Sequence, residues 1–564
     1  MTTLTEAVSG AELDRHLRAI SRVVRLSGTA EEAEAFDYIE GQLRAFGYRV
    51  NRHASDALIG YPQRSSLEIL SPNPVQIASN GYSLSPSTGP EGVTGEVVFV
   101  GAGMPGDFEG RDVQGKIVVS DGLAMPGKAL AAERAGAIGQ IHINDEHIHE
   151  MCISPVWGTP TPETGGLLPK VPAVGISRPD GDRLKGLLQQ GAVRVRLATE
   201  PFRAWVKIPT LTADLPGTAS DDFVMFSGHV DSWHYGVMDN GTANATQLEV
   251  ARLLAERGGE LRRGVRFAFW SGHSHGRYAS STWYADTFWH DLHANCACHV
   301  NVDSVGAIGA SILEEAPTMA ETYGFGRQVL ADTVGAELDY RRISRSSDQS
   351  FWGHGIPTVF ASLSEQARDD SATGAALAQL LGAGGKSGGL GWWWHTTEDT
   401  LDKIDPGNFV RDAGVYAETL WRLCTVDRLP IEPAAAAEEM AHTLARYHAD
   451  ARGTLDLSGI EALAREAATA IAAFSRIQRD PEATNQLTMA LCRLLIPVNY
   501  TRSGPFEHDL ALRSDPLPGL SDAAHLGSLD RSSDDFFFLR TKLMRERNRV
   551  EHALRSALRL VEMA

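Results

Sequence analysis

From Asp221 onward, apolar runs alternate with helix-patterned segments, and that alternation restricts the chain to few folds. "DFVMFSGHVD", "GVRFAFWSG" and "HVNVDSVGA" have the length and content of strands. "NATQLEVARLLAERG", between the first two, repeats its apolar residues at helical spacing. The alternation predicts an α/β domain with a mainly parallel sheet flanked by helices. The near-continuous apolar runs predict strands covered on both faces. Ligands of such sheets bind outside the carboxyl ends of the strands, so the residues that follow each run carry the chemistry.

At 564 residues the chain is too long for one hydrophobic core. Residues 11–48 read as two helices. Between about Tyr82 and Phe202, short β-rich runs ("GEVVFVG", "GKIVVSDG", "GQIHIND") are separated by glycines, with one helical insert, "PGKALAAERAGA". This texture predicts a small β-rich domain inserted into the larger one. From about Pro430 the chain turns alanine- and leucine-rich with helical period. The expected division is 1–80 with 206–430, an insert over 81–205, and a helical domain over 431–564. The glycine cluster Gly382–Gly389 lacks the spacing of a phosphate loop and reads as a flexible surface loop.

The net charge of −19, from 71 acidic and 52 basic residues, argues against nucleic-acid binding and against docking on anionic lipid. The five scattered cysteines fit a reduced, intracellular protein, and "CACH" (Cys296–His299) reads as buried thiols in a strand. No basic-then-apolar leader and no membrane-length apolar run is evident, so the expected location is the cytoplasm.

Three strand exits carry candidate metal ligands. The first delivers His229 and Asp231 in "GHVDSW", followed by Asp239 in "MDNGTAN". The second, "FWSGHSHG", delivers His273 and His275, and the third delivers Asp303 in "NVDSVG". His395 in "WWWHTTEDTLDKID" adds a fourth contribution. Singly, each is an ordinary capping or surface residue. Together they are imidazoles and carboxylates converging on one sheet edge, with Asp231 placed to orient His229 from behind.

The series "GHVDSW", "MDNGTANAT", "FAFWSG", "VNVDSVG", "SDQSFWGHGIP" and "HTTEDTLDKID" resembles the zinc aminopeptidases and glutamate carboxypeptidase II-like metallopeptidases of the transferrin-receptor superfamily. The insert resembles their protease-associated domain, and the C-terminal helices, including "LTMALCRLLIPV", resemble their dimerisation domain. The resemblance implies a zinc-aminopeptidase-like fold and a homodimer. It implies divalent metal, zinc foremost, as one or two ions. Asp239 would bridge two ions, His229 and Asp303 would complete one site, and His395 would serve the other.

The resemblance also implies two adjacent glutamates, a general base and a ligand, where this chain has His273 and Ser274. Histidine can be base or ligand. Serine is a poor zinc ligand, so the second ion recruits His273 or His275 or is lost. Imidazole enrichment leaves iron, nickel and cobalt open beside zinc. Three classes follow: a metal-dependent hydrolase of an amide or a peptide-like small substrate, with His273 and Asp231 as catalytic residues; a repurposed lyase or unusual small-molecule hydrolase; and a non-catalytic receptor-like protein. The expectation is the first, and not a general aminopeptidase. In "RISRSSDQSFWGHGIP", Arg345, Ser347 and Asp348 are candidate substrate contacts, with Arg345 suited to a carboxylate. Trp392–Trp394 are candidates for an apolar pocket wall.

Overall fold

The computed structural model describes residues 4–368, 385–477 and 480–564. Its centre is a run of parallel strands in the order Thr358–Val359, Cys296–Asn301, Phe223–His229, Gly264–Trp270. Every residue of Phe223–His229 and of Cys296–Asn301 is buried, which is why these runs are apolar throughout. Val224 and Phe226 face a core built with Leu17, Phe36, Leu248 and Leu420. Phe223 and Met225 face the opposite layer, with Trp270, Tyr284 and Leu292.

Two strands, Arg49–Ser71 and Arg194–Leu215, pair antiparallel along their lengths and run through both units. At one end Leu211–Leu215 extends the central sheet beside Gly264–Trp270. At the other, Arg194–Leu197 pairs with Val93–Glu96 of the insert. The insert then continues in parallel through Val93–Phe99, Ile117–Asp121, Gly139–Ile143 and Ala173–Ile176. The boundary expected at 205/206 therefore falls inside a strand, because a shared ribbon leaves no linker to mark a change of domain. The insert also holds a second helix, Arg178–Gln190, that its few apolar residues do not announce. Ser177 caps this helix on the Asp180 amide, and a proline occupies its first turn. Of the glycine cluster, residues 382–384 lie outside the described residues. Ser387–Gly389 is a buried strand paired with Glu365–Ala367, not a flexible loop.

The helical unit has its own core, with Met440, Leu444, Leu463, Ile471, Leu543 and Leu554 buried together. The helix Pro481–Tyr500 joins it to the rest through two faces. Met489, Cys492, Ile496 and Tyr500 enter the central core, whereas Leu487, Leu491, Leu495 and Val498 enter the helical one. Both sets follow the three- and four-residue spacing of one helix side. At about 1.5–3 kcal/mol per large apolar side chain buried, this one helix fastens the two units. All five cysteines are free and buried. Among the described residues, no helix is long and apolar enough to cross a membrane.

Glu321 is buried at this junction, on the helix Ala320–Val334, with neither carboxylate oxygen hydrogen-bonded. Burial raises its pKa from 4.5 to about 7. The folded state therefore holds this proton where the unfolded chain has lost it, and stability falls as pH rises through that interval. Glu321→Gln should gain stability over the parent progressively from pH 4.5 to about 7, and by a constant amount above. Denaturant titrations at several pH values check this; a pH-independent difference contradicts it.

Candidate functional site

The site is built where the strands end. After Trp270 the backbone turns at Gly272, whose φ of +69° suits glycine, and enters a one-turn helix, His273–Gly276. Asp231 receives the first amides of that helix, accepting from His273 N (3.2 Å) and Ser274 N (2.9 Å). Its backbone carbonyl accepts from His229 Nδ1 at 2.8 Å, which turns His229 Nε2 toward the cluster. Asp231 is thus the brace of two histidines, and its own carboxyl is held well below the usual range because the neighbouring imidazoles His275, His229 and His273 outweigh its complete burial.

Asp239 lies between two imidazoles. Its Oδ1 is 3.1 Å from His229 Nε2 and its Oδ2 is 2.9 Å from His395 Nε2. Asp303 Oδ1 stands 3.8 Å from His229 Nε2. The His273 ring stacks on His229 with centroids 3.7 Å apart. His229, His273 and Asp303 each offer a ligand atom, all within 4.8 Å of one another. Burial would push the His229 pKa down, but the carboxylates of Asp239, Asp303 and Asp231 carry it up to about 10. Asp303 moves upward through burial and through Asp239.

His275 is not brought into this group. Helical residues rotate by roughly 100° each, so His273 and His275 point to opposite sides of their single turn. His275 Nδ1 instead meets Ser27 Oγ at 2.8 Å and Asp231 Oδ2 at 3.4 Å, and the ring packs on Trp233. The expectation of His275 as a ligand is corrected accordingly: it props Asp231.

The loop read as a substrate contact has other partners. Asp348 Oδ2 is 2.6 Å from His273 Nδ1, and its Oδ1 accepts from Ser281 Oγ at 2.6 Å. Ser347 Oγ donates to Asp303. Both residues have positive φ, +51° and +54°, a backbone shape that aims two successive side chains at two different site residues. Arg345 is buried, donates from Nε to Asp509 O, and lies 4.0 Å from the Trp157 ring centroid. Asp348 and Ser347 thus hold site residues, while Arg345 is engaged by Asp509 and Trp157; a hydrophilic loop sequence does not separate such uses from substrate binding.

Two supports carried no separate signal. Asp399 accepts from the amides of Met238 (2.8 Å) and Asp239 (3.0 Å), fixing the loop that carries the Asp239 carboxylate. Glu150, from the insert, accepts His395 Nδ1 on its backbone oxygen at 2.6 Å, across 245 residues of chain. Asp399 sits in the same "HTTEDT" as His395 and could have been singled out there; Glu150 could not. Of the three tryptophans, Trp394 stacks on His395 (3.4 Å), Trp393 is buried, and Trp392 stacks on His147.

Comparison with known proteins gives matches to two families over parts of the chain. Residues 210–420 match the model of peptidase family M28, and residues 93–184 match the PA domain. A probable glutamate carboxypeptidase of Zea mays is 24% identical over 361 residues, covering 52% of this chain and 50% of the maize protein. Carboxypeptidase Q of Bos taurus is 26% identical over 274 residues, covering 46% and 57%. The chain thus spans about half the length of the curated relatives it matches. In fold, it is similar to a peptidase M28 precursor from Shewanella amazonensis (TM-score 0.58, 20% identity, 76% of this chain and 95% of that one). It is likewise similar to a zinc aminopeptidase from Bacillus subtilis (TM-score 0.54, 20% identity, 74% and 95%).

The donors of this cluster fit a divalent metal. His229 Nε2 and Asp239 Oδ1 are buried and face each other without hydrogen-bond geometry, an arrangement that a cation between them satisfies. Around His395 and Asp239 Oδ2 the fit is poorer, since Ser274, which stands where the resemblance implies a carboxylate ligand for that side, offers only a buried, unpartnered and uncharged Oγ. Asp239→Ala should abolish tight zinc binding, and Asp399→Ala, which withdraws the support behind the ligand, should cost about 10–100-fold. Equilibrium dialysis with elemental analysis measures both. Full occupancy in Asp239→Ala would show that the metal lies elsewhere.

Proposed function

We propose that the protein is a metal-dependent hydrolase of an amide or peptide-like small substrate, narrower than a general aminopeptidase. The carrying observation is the buried Asp239 bridge between His229 and His395, with Asp303 and His273 beside it at the strand exits. The M28 relationship supports the reaction class. A metal bound there would supply Lewis-acid polarisation of the substrate carbonyl and a more acidic water.

The chain's own contribution is proton handling. With Nδ1 on Asp348, His273 presents Nε2 toward the cluster, where it can take a proton from attacking water and return it to the leaving amine. Asp348 holds the tautomer and orientation of the ring, and Ser281 fixes Asp348 in turn. The buried walls around Asp231 and Asp239 exclude bulk water and hold the dipoles in place. The serine at 274 removes a charged donor, which supports a weakened or remodelled second cation site and hence a restricted substrate range.

A second reading has its own observation. His229, His273 and Asp303 are mutually close enough to be three ligands of one ion, and His273 would then hold metal rather than move protons. The proposal further includes a cytoplasmic homodimer acting on a small molecule or short peptide. Its supports are the five free thiols and the exposed Phe537 and Phe538 on the last helix, 50% and 69% accessible.

His273→Ala separates the readings. As base, its loss should lower kcat by about 10²–10⁴ with metal content retained; as ligand, it should lower metal content itself. Turnover is followed on aminoacyl and acyl-glutamate amides, beside elemental analysis. Fast cleavage of ordinary aminoacyl amides that survives His273→Ala would overturn the proposal.

A further inference from the structure

An indole N–H only donates and a carboxylate only accepts, so a hydrogen-bond chain that begins at one and ends at the other has a single direction. Such a chain runs from the insert to His273. Trp157 Nε1 donates to Ser350 Oγ at 2.9 Å. Ser350 Oγ lies 3.0 Å from Ser281 Oγ, and Ser281 Oγ donates to Asp348 Oδ1 at 2.6 Å. Asp348 Oδ2 is 2.6 Å from His273 Nδ1. Each hydroxyl has one hydrogen to give. Ser281 has a second acceptor in reach, Tyr278 O at 3.2 Å, but the carboxylate is nearer and charged. With that hydrogen spent on Asp348, Ser281 accepts from Ser350. Thr282 Oγ1, the other hydroxyl near Ser350, stands farther off at 3.5 Å and gives its own hydrogen to Tyr278 O. Every hydrogen in the chain therefore points toward Asp348, whose second oxygen is left to accept from His273 Nδ1.

Trp157, Ser350, Ser281 and Asp348 are all buried, and in a dry site each of these bonds is stronger than it would be in water. The donor at the head of the chain is itself anchored from the other units. Its ring packs on Tyr278 with centroids 4.1 Å apart and carries the Arg345 guanidinium at 4.0 Å. Arg345 donates to Asp509 O, and Ala511 N donates to Pro155 O at 2.7 Å, so the segment after Pro481–Tyr500 grips the same stretch of the insert. Gly158, the next residue, donates to Arg277 O at 2.6 Å. A Cβ at Gly158 would stand 2.5 Å from Thr282 Oγ1, and its φ is +69°, so glycine is what lets the insert approach this closely.

Resting on the hydrolase reading above, we propose that Trp157 is a positioning residue for His273. Acting through Ser350, Ser281 and Asp348, the insert holds the neutral ring as its Nδ1–H tautomer. Nε2 then keeps the lone pair that takes a proton from water, whereas the other tautomer would turn a hydrogen toward the cluster. Trp157 lies outside the cluster, so its effect is on how much of His273 is in the competent form. That is an effect on kcat rather than on KM.

The test uses the full-length protein with isotope-labelled histidines, read by nitrogen NMR in the metal-free and zinc-loaded states, with His273→Ala assigning the signal. In the parent, His273 should carry its hydrogen on Nδ1, and Asp348→Asn supplies the pattern of the lost tautomer. Ser281→Ala removes the bond next to the carboxylate and should lower kcat about 10–100-fold. Trp157→Phe keeps a ring against Tyr278 and Arg345, removes the N–H, and should lower kcat about 2–10-fold. In both, the Nδ1–H signal should weaken in favour of Nε2–H, with KM and zinc content unchanged. Thr282→Val removes a buried hydroxyl beside the chain but outside it; stability should fall while tautomer and kcat hold. An Nε2–H ring in the parent, or an Nδ1–H signal unmoved by both Ser281→Ala and Trp157→Phe, overturns the inference even if amides are hydrolysed. A fall in kcat shared by Thr282→Val with no change of tautomer overturns it too, since packing alone would be the cause. Tautomer shifts in both chain variants, without hydrolysis of any amide by the parent, would leave it standing and sink the hydrolase reading instead.

Discussion

The structure turns on burying one carboxylate, Asp239, between two imidazoles. A carboxylate removed from water is unfavourable unless charge and hydrogen bonds compensate it, and the surrounding residues do so from every side. His229 and His395 face its two oxygens, and Asp399 receives its amide. The loop that carries it is shaped further back. Arg25 gathers the carbonyls of Val230, Tyr235 and Gly236, and Asn244 donates to the carbonyls of His229 and Asn240. These contacts join the first helical hairpin, the central strands and the loop after residue 390 into one support. Asp399 has accepted a cost for its part: burial moves its pKa up to about 7, against the pull of the two amides it binds.

Much of this was legible in the sequence, for identifiable reasons. The parallel sheet is visible because strands covered on both faces must be apolar throughout, and the positions of His229, Asp239 and Asp303 follow from where those runs stop. Direction is what the sequence withheld. His273 and His275 look equivalent in "GHSHG", and only the turn of helix starting after Gly272 sends one to the cluster and the other to Ser27. Asp348 and Ser347 read as polar loop residues in contact with a ligand, yet both are spent on His273 and Asp303. The carbonyl of Glu150 carries no signal at all, since any residue has one.

The insert is part of the site rather than an appendage. It grips His395 through Glu150 and packs Trp157 on Tyr278, whose ring meets His273. The ribbon of Arg49–Ser71 and Arg194–Leu215 carries this alignment, because its second strand pairs with Gly264–Trp270 at one end and with the insert's Val93–Glu96 at the other. A division drawn through the strand near residue 205 would cut the element that transmits this alignment.

The histidine at 273 and the serine at 274 change the charge balance more than the shape. The resemblance calls for two carboxylates there, and the chain offers one neutral alcohol and one imidazole. A glutamate base begins as an anion and becomes neutral on taking a proton; an imidazole begins neutral and becomes a cation. Around position 273 stand Asp231, which accepts its amide, Asp348, which meets its Nδ1, and Asp303. The same substitutions leave less negative charge to hold a second divalent ion near His395, while the His229 side keeps its donors. The two departures are therefore one change: a site with fewer anions to bind metal, in which an imidazole held by Asp348 stands where the resemblance calls for a carboxylate base.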